Sequence, residues 1–218
     1  MKYVSLNNPS IKVSFKDAVL MGQAPEKGLF FPEYIPEISR TVLENIQQYP
    51  KEELAFEILR PYIGDCINAH ALKNILADTL NFDFPLKEIE DSIFVLELFH
   101  GPTAAFKDVG ARFLSRCLQY SKDNNEKFTI LVATSGDTGG AVADAFFGLE
   151  NVDVIILFPS GKVSELQKMQ LTTYGNNITA LEVEGTFDDC QALVKQVFAD
   201  VSLKSEYQFT SANSINIA

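Results

Sequence analysis

Residues 130–146 read ILVATSGDTGGAVADAF. Ile130 to Ala133 make a short apolar run suited to a buried parallel strand. Thr134, Ser135, Gly136, Asp137, Thr138, Gly139 and Gly140 follow, and then Ala141, Val142, Ala145, Phe146 and Leu149 recur at helical spacing. The pattern is strand, small-residue turn, helix. Small residues let a backbone approach a ligand, and the unpaired N–H groups of a helix start attract an anion. The turn is therefore a candidate cradle for a carboxylate or a phosphate. It is neither a Walker loop nor the dinucleotide GxGxxG turn. An ordinary strand-to-helix turn capped by Asp or Thr fits the same letters.

From residue 92 onward the same unit repeats. IFVLELF, FTILVAT, VDVIILFP, NITALEVE and YQFTSA read as strands, with helical stretches between them. Such alternation predicts an α/β fold with a doubly wound, mainly parallel sheet. Ligands of such sheets bind beyond the carboxyl ends of the strands. Lys107 follows the first of these strands and the 134–140 turn the second, so both can face one crevice. Thr186 with Asp189 opens a further helix, with Leu193, Val194, Val197 and Phe198 inward. The segment SGKVS, residues 160–164, also lies between a strand and a helix. Its Lys162 is either a point charge for a phosphate or a solvated loop lysine. Ser211, Asn213, Ser214 and Asn216 form a polar cluster after the last strand.

Residues 1–85 read differently, as a mostly helical domain, with 86–218 as the α/β domain. Ser14 with Asp17 is a capping-box start, Phe15, Ala18 and Val19 give an apolar face, and Gly22 can end that helix. Pro50 suits a first helical position before Leu54, Ile58 and Leu59, and Asp65 can cap a helix bearing Ile67, Leu72, Ile75 and Leu76. FDFPLKEIED, residues 82–91, marks the boundary.

The second informative stretch is LELFHGPTAAFKDVGARFL, residues 96–114. Lys107 opens an amphipathic helix whose stripe is Val109, Phe113 and Cys117 with Gly110, Leu114 and Leu118. Burial disfavours the charged form of a lysine and frees its amine to attack a carbonyl. Alternatively, the ammonium of a helix-start lysine simply reaches water. Asp108, next along, either orients the lysine or caps the first turn. His100 fits a turn or pocket wall.

Composition narrows the classes. The 218 residues are 46% hydrophobic and 22% charged, with a net charge of -11. That is ordinary for a soluble globular chain, and the acidity disfavours nucleic acid and anionic membranes as partners. No apolar run has the length of a membrane span, and MKYVSLNNPS lacks a signal-peptide core. Cys66, Cys117 and Cys190 show neither zinc nor disulfide spacing, which points to a reducing cytoplasm. Two histidines are too few for a histidine-rich metal site, and no metal is expected.

Taken together, FHGPTAAFKD and ATSGDTGGAVADAF resemble the threonine synthase family of fold type II pyridoxal 5'-phosphate enzymes. VSFKDAVLMGQAPEKGLFFPEYIP, FPSGKVSELQKMQL, GTFDDCQALVKQVF and TSANSINIA are similar to further blocks of that family, in the family's order. Ala104 and Val109 depart from it, standing where a larger aliphatic residue and Phe are usual. The resemblance implies a Schiff base between Lys107 and pyridoxal phosphate, with Phe106 and Asp108 flanking that lysine. It implies that Thr134, Ser135, Gly136, Thr138 and Gly139 receive the substrate carboxylate, that Asp137 lies near the cofactor's 3-hydroxyl, and that Lys162 serves the substrate. The implied reaction converts O-phosphohomoserine and water to threonine and phosphate. A monomer or homodimer is expected of the full-length protein. A dehydratase or other lyase acting on a small hydroxy- or phospho-amino acid with the same cofactor is the alternative. The Gly-rich loop for the cofactor phosphate and the partner of the pyridine nitrogen lie downstream of NSINIA in the family. The expectation is thus an N-terminal portion, incomplete at its C-terminal end and inactive alone.

Overall fold

The computed structural model describes residues 1–122, 127–213 and 215–218, so Ser214 of the polar cluster lies outside the described residues. The chain divides into two compact units.

The first unit contains Met1–Asn81, Arg116–Lys122 and the last residues of the chain. Its elements are β1 (Tyr3–Ser5), β2 (Lys12–Val13), α1 (Phe15–Met21), β3 (Phe30–Pro32), α2 (Arg40–Glu44), α3 (Lys51–Ile63) and α4 (Ala69–Thr79). Helices dominate it as expected, but β2, β1 and β3 also form a small antiparallel sheet. Strands of two or three residues carry no period, so the sequence could not announce them. The Ser14–Asp17 capping box is formed, and Gly22 ends α1 at φ 67°. Pro50 stands one position earlier than expected, at the N-cap of α3. Asn68, not Asp65, caps α4, because its side chain reaches the N–H of Ala71 at 2.9 Å. Asp65 pairs instead with Arg60 at 3.0 Å. Phe15, Ala18, Val19, Ile63, Ile67, Leu72 and Leu76 make the core. Asn216 donates to the carbonyl of Val19 at 2.9 Å and so plays a structural part in this unit.

The second unit contains Phe82–Ser115 and the described residues from Lys127 to Asn213. It opens with β4 (Leu86–Glu90) and β5 (Ile93–Leu96), an antiparallel hairpin separate from the main sheet. This corrects the reading of IFVLELF as a parallel strand. LKEIE pairs with the apolar run directly, and the side chains of both strands are exposed. Next come α5 (Asp108–Ser121), β6 (Phe128–Ala133), α6 (Asp137–Phe146), β7 (Val152–Pro159), α7 (Glu165–Thr172), β8 (Ile178–Val183), α8 (Phe187–Ala199), α9 (Val201–Glu206) and β9 (Gln208–Ser211).

The main sheet is four-stranded and parallel throughout, in the order β8-β7-β6-β9. Alternation along the strands sorts its faces. Leu131, Ala133, Ile155 and Leu157 pack with Cys190, Val194 and Phe198 of α8. Ile156 lies on the opposite face, where Gly139 of α6 meets its side chain and that of Leu171 from α7. Helices thus cover both faces, as a doubly wound sheet requires. From β6 the chain proceeds through β7 to β8, then returns to lay β9 on the other side of β6. The strand order reverses between β6 and β9. At such a reversal the flanking connections leave in opposite directions, and a crevice opens beyond the strand ends.

Candidate functional site

The turn at that reversal begins with Thr134. Its N–H extends the sheet by bonding to the carbonyl of Leu157 at 2.9 Å. Its side chain is buried, with 1% of the residue exposed, and its Oγ1 accepts from the N–H groups of Gly136 and Gly139, each at 2.9 Å. One hydroxyl thereby folds the turn onto the end of β6. The first N–H groups of a helix have no intrahelical acceptor. Two of this set are satisfied by Thr134 and a bond from Gly140 reaches the carbonyl of Gly136 at 3.1 Å. Those of Asp137 and Thr138 have no acceptor among the described residues. They are the donors an anion would meet, and Ser135 beside them is exposed.

Glycine is required twice here. Gly136 adopts φ 139°, which side-chain-bearing residues rarely reach, and a Cβ there would stand 2.3 Å from Cδ of Gln167. At Gly139 a Cβ would meet Leu171 and Thr134 at 2.6 Å, so α6 lies close against the sheet.

Lys107 ends a separate turn. Corrected for the hairpin, the lysine does not follow a parallel strand. It follows the stretch Glu97–Phe106, which folds in tight turns: the N–H of Ala104 bonds to Gly101 O and that of Asp108 to Ala105 O, each at 3.1 Å. Asp108, only 1% exposed, receives the N–H of Thr103 at 3.0 Å and the Thr103 hydroxyl at 2.5 Å. The carboxylate thus knots the turn at its base. Lys107 is half-buried, and its Nζ donates to Oγ1 of Thr138 at 2.6 Å. The same ammonium lies 5.4 Å from the ring centroid of Phe106, which is 60% exposed.

The fold therefore brings together the two stretches singled out in the sequence. Lys107 meets Thr138 and lies over the ring of Phe106, and Thr134, Gly136 and Gly139 hold the turn behind Thr138. Lys162 is exposed on the turn after β7, where its N–H bonds to Pro159 O at 3.2 Å. No hydrogen bond or ion pair joins its side chain to the other candidates among the described residues. His100 stacks on Phe99 at 4.8 Å and pairs with Glu97 at 2.8 Å, a turn role. The stripe expected on α5 is rotated: Ala111, Leu114, Ser115, Cys117 and Leu118 are buried, whereas Val109 and Phe113 are half-buried. Deep burial raises the Cys117 thiol far above its usual range, so it packs as a neutral thiol.

Three residues escaped the sequence reading. Thr103 anchors Asp108. Gln170 of α7 donates to Thr103 O at 3.3 Å, and Gln167, one turn earlier, donates to Asp137 Oδ1 at 2.8 Å. The signal for Gln167 was available in SELQ, whose first and last letters form a capping box.

Comparison with known proteins gives two family matches and several close relatives. Residues 2–80 match the family described as threonine synthase N terminus, and residues 80–217 match the family described as pyridoxal-phosphate dependent enzyme. The chain is 44% identical over 218 residues to the threonine synthase of Haemophilus influenzae, covering 100% of this chain and 51% of that protein. The crystal structure of threonine synthase from Escherichia coli superposes with a TM-score of 0.92 at 45% identity, over 100% of this chain and 50% of that one. The pyridoxal-phosphate-bound threonine synthase from Brucella melitensis gives 0.92 at 40% identity, over 100% and 48%. The chain spans about half the length of the curated relatives it matches.

Proposed function

Because the chain belongs to the pyridoxal-phosphate dependent enzyme family and carries the threonine synthase N terminus, we propose that it provides the reactive lysine and the carboxylate-binding turn of a threonine synthase. The reaction is conversion of O-phospho-L-homoserine and water to L-threonine and phosphate. The observation that carries this reading is the 2.6 Å hydrogen bond between Lys107 Nζ and Thr138 Oγ1, which joins two motifs far apart in sequence. The residues fit the family's cofactor: a half-buried amine on a flexible stem lies beside an aromatic ring and a helix start with unengaged N–H groups. When bound, pyridoxal phosphate supplies a carbonyl carbon for an amine and a ring that withdraws electrons from the substrate carbon next to it.

The protein's own groups then divide the work. Lys107 Nζ would hold the cofactor and, as a free amine, would take the proton from the substrate Cα. Thr138 Oγ1 accepts from that nitrogen and fixes its direction. The N–H groups at the start of α6, framed by Thr134, Ser135, Gly136 and Gly139, receive the substrate carboxylate. Asp137 and Phe106 would help to hold the cofactor beside Lys107. Asp108 keeps the lysine turn in register through Thr103. Lys162 adds a positive charge for the substrate phosphate, a local attraction needed against a net charge of -11. We place the protein in the cytoplasm, as a monomer or homodimer acting on small molecules. Its cysteines, free among the described residues, support a reducing compartment, and no helix among the described residues is long and apolar enough to cross a membrane.

The test is local. Pyridoxal phosphate added to the chain and fixed with borohydride should leave its mass on Lys107, found by peptide mapping, and Lys107→Ala should lose it. Label on another lysine instead would overturn the assignment. In the full-length protein, phosphate release from O-phosphohomoserine that disappears in Lys107→Ala assigns the substrate, whereas release of ammonia without phosphate points to a dehydratase.

A further inference from the structure

The face of α7 turned toward the candidate site carries Gln167 and Gln170, and these two amides reach both of its turns. Gln170 Nε2 bonds to Thr103 O at 3.3 Å, beside the Asp108 knot. Gln167 does more. Its Oε1 accepts from the N–H and the hydroxyl of Ser164, both at 3.1 Å, which caps α7. Its Nε2 donates to Asp137 Oδ1 at 2.8 Å, at the first position of α6. The amide also fills the space where Gly136 lacks a side chain. One planar group thus accepts from one helix start and donates to another. Glutamate can do the first and not the second, and an apolar side chain of this length can do neither.

We propose that Gln167 is a positioning residue for the 134–138 turn: it sets the direction of the Asp137 carboxylate and holds the start of α6 against the 160–164 turn. It touches neither Lys107 nor its partner Thr138 in the hydrogen-bond pattern, and it acts on them through Asp137 and the helix start that follows. The inference deepens the proposed function and rests on it for the part the turn plays, while the contact itself stands on the geometry.

The experiment exploits the asymmetry of the amide. Gln167→Glu keeps the acceptor for Ser164, so the cap of α7 survives, and places a second carboxylate against Asp137. Two carboxylates at that distance disfavour double ionisation. The thermal midpoint of Gln167→Glu should therefore fall below wild type above about pH 5 and return toward it near about pH 3.5, where one of the pair takes a proton. In the reversed pair, Asp137→Asn with Gln167→Glu, the donor and acceptor exchange sides, and the pH-dependent deficit should vanish. A loss caused by packing alone would be insensitive to pH and would not be rescued. A midpoint profile of Gln167→Glu parallel to wild type, or a double variant no better than the single, overturns the proposal. The second readout is the rate at which borohydride fixes pyridoxal phosphate on Lys107. At pH 7.5, Gln167→Glu should lower it roughly tenfold, the equivalent of about 1.4 kcal/mol. A rate equal to wild type overturns the positioning role. If wild-type Lys107 itself takes no label, the functional reading fails, and the midpoint profiles still decide for or against Gln167.

Discussion

Replacing Asp108 by alanine is the sharpest probe of the lysine turn. The carboxylate is 1% exposed and receives two bonds from Thr103, one from its N–H and one from its hydroxyl. A hydrogen bond to a charged group contributes about 1.5–3 kcal/mol, and a buried donor left without a partner costs about 1–3 kcal/mol. The two bonds share one turn and are not additive, so Asp108→Ala should lose about 3–5 kcal/mol. Asp108→Asn keeps one acceptor oxygen, and the Thr103 hydroxyl can rotate to accept from the new amide. Its loss should be about 1–2 kcal/mol. The chain has no tryptophan, so urea unfolding is best followed by far-UV circular dichroism. A double-mutant cycle isolates the contact further. A Cβ on Gly101 would collide with the carboxylate of Asp108 and also lie 2.9 Å from its Cβ, so Gly101→Ala should be harmful in the wild type and only partly relieved beside Asp108→Ala, which removes the carboxylate and keeps that Cβ. A loss below about 1 kcal/mol for Asp108→Ala would refute the reasoning, as would equal losses for alanine and asparagine.

Three further outcomes are expected. Gly136→Ala should destabilise by about 2–4 kcal/mol in urea unfolding, since φ 139° is closed to alanine and Gln167 must move. Gly139→Ala should cost about 1–3 kcal/mol by overpacking, since Leu171, Thr134 and Ile156 all lie within 3.0 Å of the added Cβ. Asp189→Asn should lower the thermal midpoint at pH 7 and leave it unchanged at pH 2. The N–H and hydroxyl of Thr186 hold the Asp189 carboxyl below its usual range, so its contribution is present above about pH 4 and is lost as pH falls through the depressed value.

Much of this fold was legible because its signals are local. The apolar run 130–133, the glycine-rich turn and the helical spacing after it suffice to place β6, the turn and α6, and each later repeat is read in the same way. The capping boxes at Ser14 and Thr186 fix two helix starts through contacts only three residues apart. The failures share one cause. IFVLELF satisfies the pattern of a buried strand, and only its pairing with LKEIE, a tertiary fact, exposes it as a hairpin arm. Asp65 and Asn68 are both competent caps, and the choice between them depends on the direction in which the chain leaves α3. In the candidate site, the residues whose chemistry is distinctive were named beforehand: Lys107, Asp108, Gly136 and Asp137. Thr103, Gln167 and Gln170 were not, because an amide or a hydroxyl says nothing until its neighbours are known.

The return of the chain to lay β9 against β6 has a consequence for how the molecule is made. During synthesis β6 acquires β7 on one side at once, but its other edge waits until β7, α7, β8, α8 and α9 have all emerged. Over that interval Phe128–Leu131 offers a row of unpaired N–H and C=O groups, with an apolar strand behind it. Closing the long loop costs entropy before the β6–β9 contacts repay it, so this pairing belongs to the late, slow part of folding. An open apolar edge is a template for another copy of the same chain. Refolding yield should fall as protein concentration rises. A synthetic peptide spanning Tyr207–Ala212, present during refolding, should compete for that edge and suppress aggregation while slowing the recovery of native structure.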